Sequence, residues 1–279
     1  MSMAILIMAK KDWELFEDNA TEYLNSNINN KNYKFCHSGG ADSSLSDIAL
    51  YFKTKLIFYI ECKLRVSQAG QFVVKNDVLK KIFFDSEGNK GNKNRRTQII
   101  DHMNNNYSHY SSNSSANLLC NENIMFDAVK NHYKSKKVKF LIASNQHLDF
   151  PKNFIKIIDI DEIQDDFNIS GVYRIKRSGS RDIPKKDLND FRNVVSQKFT
   201  HYDIDTINKK TYLITNEKIE SPYLDEKKYF LSKEKEKTYR IKKRSTTINS
   251  NIIFTLVFKP KDTSDNGLSK LKEEIKKTK

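Results

Sequence analysis

Ser46-Asp47-Ile48-Ala49-Leu50-Tyr51-Phe52, Lys53-Thr54-Lys55 and Leu56-Ile57-Phe58-Tyr59-Ile60-Glu61-Cys62-Lys63 form the stretch that decides how this chain is read. Two apolar, β-prone runs flank a short polar segment, the pattern of a hairpin. A turn centred on Thr54 sets Asp47 directly opposite Glu61. Directly opposed side chains lie about 4.5 to 5.5 Å apart at Cβ, where like charges repel, and a cation between them removes the conflict. Period-two alternation places Ile57, Tyr59, Glu61 and Lys63 on one face and Leu56, Phe58, Ile60 and Cys62 on the other. Lys63 therefore joins the carboxylates, while Cys62 points away. Mg²⁺ favours hard oxygen ligands from one or two carboxylates, with water and phosphate completing its shell. A neighbouring lysine can orient an attacking water and offset charge developing at phosphorus. The chemistry expected of this triplet is phosphodiester hydrolysis, with Asp47, Glu61 and Lys63 catalytic and Asp47 and Glu61 the metal ligands.

Upstream, Trp13, Phe16, Ala20, Tyr23 and Leu24 share one helical face, predicting an amphipathic helix over residues 12 to 27. Tyr33 to His37 is expected as a strand before the hairpin. Downstream, Ser67 is read as the N-cap of a helix running through Gln71 and Val74 toward Lys81. Residues 85 to 117, rich in Asn and Ser with Gly88 and Gly91, are expected as a loop-rich insertion interrupted by a short segment around Gln98 to Met103. Ile124 to Tyr133 reads as a helix and Val138 to Ala143 as a buried strand joining the sheet. The acidic run Asp159 to Asp166 marks a boundary near residue 166. Beyond it come short β-prone stretches at Val172 to Lys176, Lys210 to Ile214, Tyr229 to Leu231, Tyr239 to Lys243 and Ile252 to Lys259. The predicted fold is α/β: a mixed central β-sheet flanked by helices over residues 1–166, followed by a basic, β-rich region over 167–279.

The chain has 279 residues, with 49 Lys and Arg against 35 Asp and Glu, a formal net charge of +14. That excess favours a polyanion, because each phosphate neutralised by Lys or Arg releases condensed counterions. Hydrophobic residues at 38% and aromatics at 11% supply core material that disordered chains lack. No apolar run approaches the roughly 20 residues that span a bilayer, so a membrane partner is not expected. Met3 to Ala9 is followed, not preceded, by Lys10 and Lys11, the wrong order for a secretory signal. Cys36, Cys62 and Cys120 are odd in number and lack CxxC spacing, which argues for reduced thiols in the cytoplasm and against a zinc ribbon. Neither GxxxxGK[ST] nor GxGxxG occurs, so no nucleotide cofactor is expected.

On Asp47, Glu61 and Lys63 the sequence resembles the PD-(D/E)XK nuclease superfamily, and within it the type II restriction endonucleases. Ser46 stands where that motif often has proline. The flanks Ser38-Gly39-Gly40-Ala41-Asp42 and Ser67-Gln68-Ala69-Gly70-Gln71-Phe72 are similar to restriction-enzyme flanks. The resemblance implies a restriction-endonuclease-like core, a Mg²⁺ cofactor, double-stranded DNA as substrate, products carrying a 5′-phosphate, and a homodimer acting on palindromic sites. Asp42 is a rival for the metal-binding aspartate, since Gly39-Gly40 permits a bend before it. Glu17 and Glu22 are candidates for a further ligand, as upstream-helix acids are in this superfamily, against the plainer expectation of a solvated helix face. Gln68 and Gln71, placed in the helix after the lysine, are candidates for contact with a phosphate or base. In the basic region, Arg174, Lys176, Arg177, Ser178 and Arg181 around a glycine turn, and Arg240 and Lys242 in a second cluster, are the expected DNA contacts. Lys270 to Lys279 is expected as a solvated terminal helix. Two other readings share these features: a repair or junction-resolving nuclease of the same superfamily, and a noncatalytic nucleic-acid-binding protein.

Overall fold

The computed structural model describes residues 12–38, 46–86, 93–144, 155–177, 179–208, 210–259 and 266–278. In chain order the elements are α1 (Asp12–Asn27), β1 (Tyr33–His37), β2 (Ile48–Phe52), β3 (Lys55–Lys63), β4 (Val66–Asp77), β5 (Ile82–Asp85), α2 (Lys93–Asn105), α3 (Tyr107–Ser111), β6 (Ser115–Asn117), α4 (Glu122–Ser135), β7 (Val138–Ser144), β8 (Ile155–Asp159), α5 (Ile163–Asp166) and β9 (Phe167–Arg177). There follow β10 (Ser180–Asp182), α6 (Leu188–Ser196), β11 (Tyr202–Ile207), β12 (Lys210–Thr215), β13 (Tyr223–Leu224), β14 (Tyr229–Lys235), β15 (Thr238–Arg244), β16 (Ile248–Phe258) and α7 (Leu268–Lys276). This is the mixed α/β architecture expected from the sequence. Contacts divide it into one unit of residues 1–174 with 251–279, and a second of residues 175–250. The boundary expected near residue 166 falls at the end of α5, within the first unit.

The first unit holds two five-stranded sheets, ordered β1-β2-β3-β7-β8 and β5-β4-β16-β9-β6. In the first sheet β3 pairs antiparallel with β2 and parallel with β7. One face of this sheet, through Phe35, Ile48, Leu50, Phe58, Ile60 and Phe140, packs on Phe16, Ala20 and Leu24 of α1 and on Leu271 and Ile275 of α7. The other face, through Leu141, Ala143 and Ile158, meets Met125, Phe126, Val129 and Tyr133 of α4, which also contact Phe72, Val74 and Phe254 of the second sheet within one core. Each such side chain, fully buried, contributes roughly 1.5 to 3 kcal/mol relative to exposure. The α4 stripe follows from helical spacing, and the helix is started by Asn121, whose side chain accepts a hydrogen bond from the Asn123 N–H. The terminal helix α7 is therefore half core rather than wholly solvated.

Two sequence expectations are corrected. Residues 67 to 81 form not a helix but the strand β4 and its turn. Phe72, Val73 and Val74 favour a pleated, half-buried surface, and Ala69, Phe72 and Val74 are buried there. Gly70, at φ +121°, is an extra residue in the alternation that lets Ala69 and Phe72 both face the core and leaves Gln68 and Gln71 both exposed. A Cβ at Gly70 would come within 3.1 Å of the His132 ring. The second correction concerns residues 85 to 117, which are not a loop-rich insertion. Residues 87–92 lie outside the described residues, but the remainder carries α2, α3 and β6, anchored by fully buried Ile99, Met103 and Tyr110. So few apolar residues among so many Asn and Ser leave little periodicity to read, yet Ile99 and Met103 stand one helical turn apart.

In the second unit, β11-β12-β15-β14-β13 form a sheet, with β10 added along β15. Its core joins Phe191 and Val195 of α6 to Leu213, Tyr229, Leu231 and Ile241. Each β-prone stretch read beyond residue 166 falls on a strand, the last of them running one residue past β16 at Lys259. Among the described residues no helix is long and apolar enough to cross a membrane.

Gly267 precedes α7 at φ +80°, and a Cβ there would meet the Ile157 carbonyl oxygen. Gly267→Ala should destabilise the first unit by at least about 2 kcal/mol. Urea unfolding checks this, and an unchanged midpoint would contradict it.

Candidate active site

The β2–β3 hairpin brings Asp47, Glu61 and Lys63 together. Its turn is Lys53-Thr54, with Lys53 in the left-handed region at φ 55°, and Phe52 pairs with Lys55 and Tyr51 with Leu56. A bulge then inserts Ile57, after which Leu50 pairs with Phe58, Ala49 with Tyr59 and Ile48 with Ile60. Continued by one position, this register puts Asp47 across from Glu61, as the sequence suggested. The bulge departs from the uninterrupted alternation expected of the strand, and it moves Ile57 to the face of Phe58, packed on the α1 side.

Asp47 is held from three directions. Its main-chain carbonyl accepts from the Ser38 N–H at 2.8 Å, the Ser38 hydroxyl donates to the Ser46 carbonyl at 2.7 Å, and the Cys62 N–H donates to Asp47 Oδ2 at 2.8 Å. Lys63 Nζ donates to Glu61 Oε1 at 2.9 Å and to the Gln68 carbonyl at 3.4 Å. It also lies 5.6 Å from the centre of the Tyr133 ring. Tyr133 closes the α4 stripe and is fully buried.

The electrostatics follow from burial and crowding. Desolvation, then the charge of Glu61, pushes the Asp47 carboxyl up to about 7, against the opposing pull of Lys63. For Lys63, 6% exposed, burial works against the charged form. Tyr133, Glu61 and Asp47 more than offset it and hold the ammonium above its ordinary range. Cys62, on the opposite face, is pushed well up by burial, as befits an inert thiol.

Glu17 of α1 joins this group. It is 6% exposed, and its Oε2 lies 2.7 Å from His37 Nε2, while His37 Nδ1 lies 3.1 Å from Asp18 Oδ1. Burial raises the Glu17 carboxyl, His37 opposes that shift, and the charge of Glu61 adds to it. The expectation of a solvated face fails for Glu17, which stands on the same stripe as Phe16, Ala20 and Leu24, and holds for Glu22, which is exposed. An acid at a core position of an amphipathic stripe was the available signal. Tyr133 gave none, since an aromatic at that spacing reads as core.

The donor set suits a hard divalent cation. Asp47 commits one oxygen to an amide, its carboxylate and that of Glu61 repel each other, and a bound cation would relieve both. Among the described residues no group of three or more His, Cys, Asp or Glu side chains forms a ready metal cage, so water and substrate oxygens would complete the shell. Asp42 lies outside the described residues. Gln68 and Gln71 sit on a strand rather than a helix, and Gln68 reaches the site through its carbonyl.

Of the expected DNA contacts, Arg174 is exposed on β9 and Arg181 on β10. Lys176 and Arg177 end β9, and Ser178 lies outside the described residues. Arg240 is gripped by Asp182 through two hydrogen bonds of 2.7 and 2.8 Å. Lys242 stands between Phe230 and Asp182 in register.

No protein-family profile and no curated protein sequence matches the chain. Among solved structures it is similar to HhaI endonuclease in complex with DNA, with a TM-score of 0.78 and 31% sequence identity, over 95% of this chain and 98% of that one.

Proposed function

This chain belongs to the family of the HhaI endonuclease, and from that premise we propose that it is a type II restriction endonuclease cutting duplex DNA at a specific sequence with Mg²⁺. The observation that carries the reading is the convergence of Asp47, Glu61 and Lys63 at one end of a buried hairpin, with Lys63 bonded to Glu61. Asp47 and Glu61 are the proposed metal ligands, with Glu17 behind them. When bound, Mg²⁺ would polarise the scissile phosphate and favour ionisation of a neighbouring water. The protein's own part is positioning. Glu61 and Asp47 beside it favour the ammonium form of Lys63, so it offers charge: it orients the attacking water and offsets negative charge growing on the phosphate. The Cys62 amide and the Ser38 contacts keep Asp47 aimed.

The second unit supports a polyanionic partner, with 19 Lys and Arg against 11 Asp and Glu within residues 175–250. Arg174, Lys176, Arg177, Ser178, Arg181, Arg240 and Lys242 remain the proposed DNA contacts, and Asp182 pre-orients the Arg240 guanidinium.

The test is incubation of the purified protein with a large unmethylated duplex DNA, with Mg²⁺ or with a chelator. Discrete fragments ending in 5′-phosphates, formed only with Mg²⁺, are expected. Unselective degradation would favour a repair nuclease, and binding without cleavage would favour a noncatalytic protein.

A further inference from the structure

The β4–β5 hairpin carries a surface that the core does not explain. At its tip Leu79 is 96% and Val78 69% exposed, and Ile82 and Phe84 on β5 are exposed as well. Four large apolar side chains thus lie open to water within seven residues, where scattered single ones would be ordinary. The tip is well built. Asp77 pairs with Ile82, the Asp77 carboxylate accepts from the Lys80 N–H at 3.1 Å, and Lys81 takes the left-handed conformation at φ 55°. Three exposed lysines flank it: Lys75, directly across from Phe84, and Lys80 and Lys81 in the turn. Lys80 Nζ lies 3.9 Å from Asp77, a loose contact.

The position of the hairpin is equally informative. The outer side of β4 begins at Gln68, whose carbonyl accepts from Lys63 Nζ. It continues through exposed Gln71 and Lys75 to Leu79. At about 3.3 Å per residue the strand carries the tip roughly 35 Å from the site, about one turn of B-DNA. An apolar tip between cations is how proteins press bulky side chains into a groove while lysines hold the phosphates beside it.

We propose that the β4–β5 hairpin is a DNA-groove finger: Val78 and Leu79 enter the groove of the duplex about one helical turn from the scissile bond, and Lys75, Lys80 and Lys81 meet the flanking phosphates. The inference rests on the reading of the chain as a duplex-DNA endonuclease and adds a contact site remote from the chemistry. The lysines favour DNA over a second copy of this chain, which carries the same positive charge.

The experiment uses the full chain and duplexes carrying its cleaved sequence, with flanks of about 4 or about 15 base pairs, shorter and longer than one turn. Binding is measured in Ca²⁺ over a salt series, with sedimentation in parallel. Val78→Ser with Leu79→Ser, an exposed pair that the fold does not need, should weaken binding to the long-flank duplex by about tenfold and leave the short-flank duplex unaffected. Neutralising Lys75, Lys80 and Lys81 to Gln should flatten the slope of log K against log salt by about 0.9 for each phosphate that goes unneutralised, again only with long flanks. Both variants should cut at the wild-type position, which separates a failed finger from a failed nuclease assignment. Wild-type binding by both variants at every salt concentration would overturn the finger. So would equal weakening on both duplexes, or loss of a dimer with DNA binding unchanged.

Discussion

Glu61→Gln and Lys63→Met should each slow DNA cleavage by about a thousandfold or more, while duplex binding survives. Both side chains are largely buried and bonded to each other at 2.9 Å, so their loss acts on a fixed constellation rather than on a mobile surface pair. Glu61→Gln keeps an acceptor for Lys63 and should remain well folded. Lys63→Met removes the only ammonium bonded to Glu61 among the described residues, and it leaves Glu61 and Asp47 facing each other in a desolvated site. Breaking a buried pair in this way costs about 3 to 5 kcal/mol. That loss should be larger at pH 8 than at pH 5, where Asp47 can take up a proton. Single-turnover cleavage and urea unfolding at both pH values check the two effects. Cys62→Ser should leave the metal requirement and chemistry intact, because the thiol packs on the α1 side. Wild-type cleavage by either the Glu61 or the Lys63 variant would remove the site.

Asp47→Asn should abolish cleavage and yet stabilise the metal-free protein at pH 8. The folded Asp47 carboxyl titrates at about 7, against an ordinary value of 3.8, so between those values the folded state binds more protons than the unfolded state. Stability contributed by this group is present below pH 4, falls as the pH rises through 7 and is flat above it. An amide at position 47 has no such charge to bury and can still accept from the Cys62 N–H. With a discount for the residue's partial exposure, the gain at pH 8 should be about 1 to 3 kcal/mol. Below pH 4 the advantage should vanish. Mg²⁺ should stabilise the wild type and not the variant. A variant that is less stable than wild type at pH 8 in chelator would show that Asp47 is not strained by burial and Glu61.

The sequence by itself determined the hairpin, because alternating apolar residues and a fixed turn leave few registers that bury one face. Asp47, Glu61 and Lys63 follow from that register, and the amphipathic stripes of α1 and α4 were legible for the same reason. The bulge at Ile57 was not, since an extra residue in one strand changes no composition and is fixed only by how both faces pack. Residues 67 to 81 misled because Ser, Gln and Ala suit the start of a helix, whereas the deciding fact is that Ala69, Phe72 and Val74 have a core to enter. Gly70 reconciles their spacing with a strand through a φ that other residues rarely adopt. Glu17 was a candidate ligand from the sequence, but its burial near Glu61 was decided by tertiary structure, and Tyr133 became part of the site only through packing. An acid and a phenol acquire their roles from the charges that packing sets beside them, and those neighbours come from strands and helices far away along the chain.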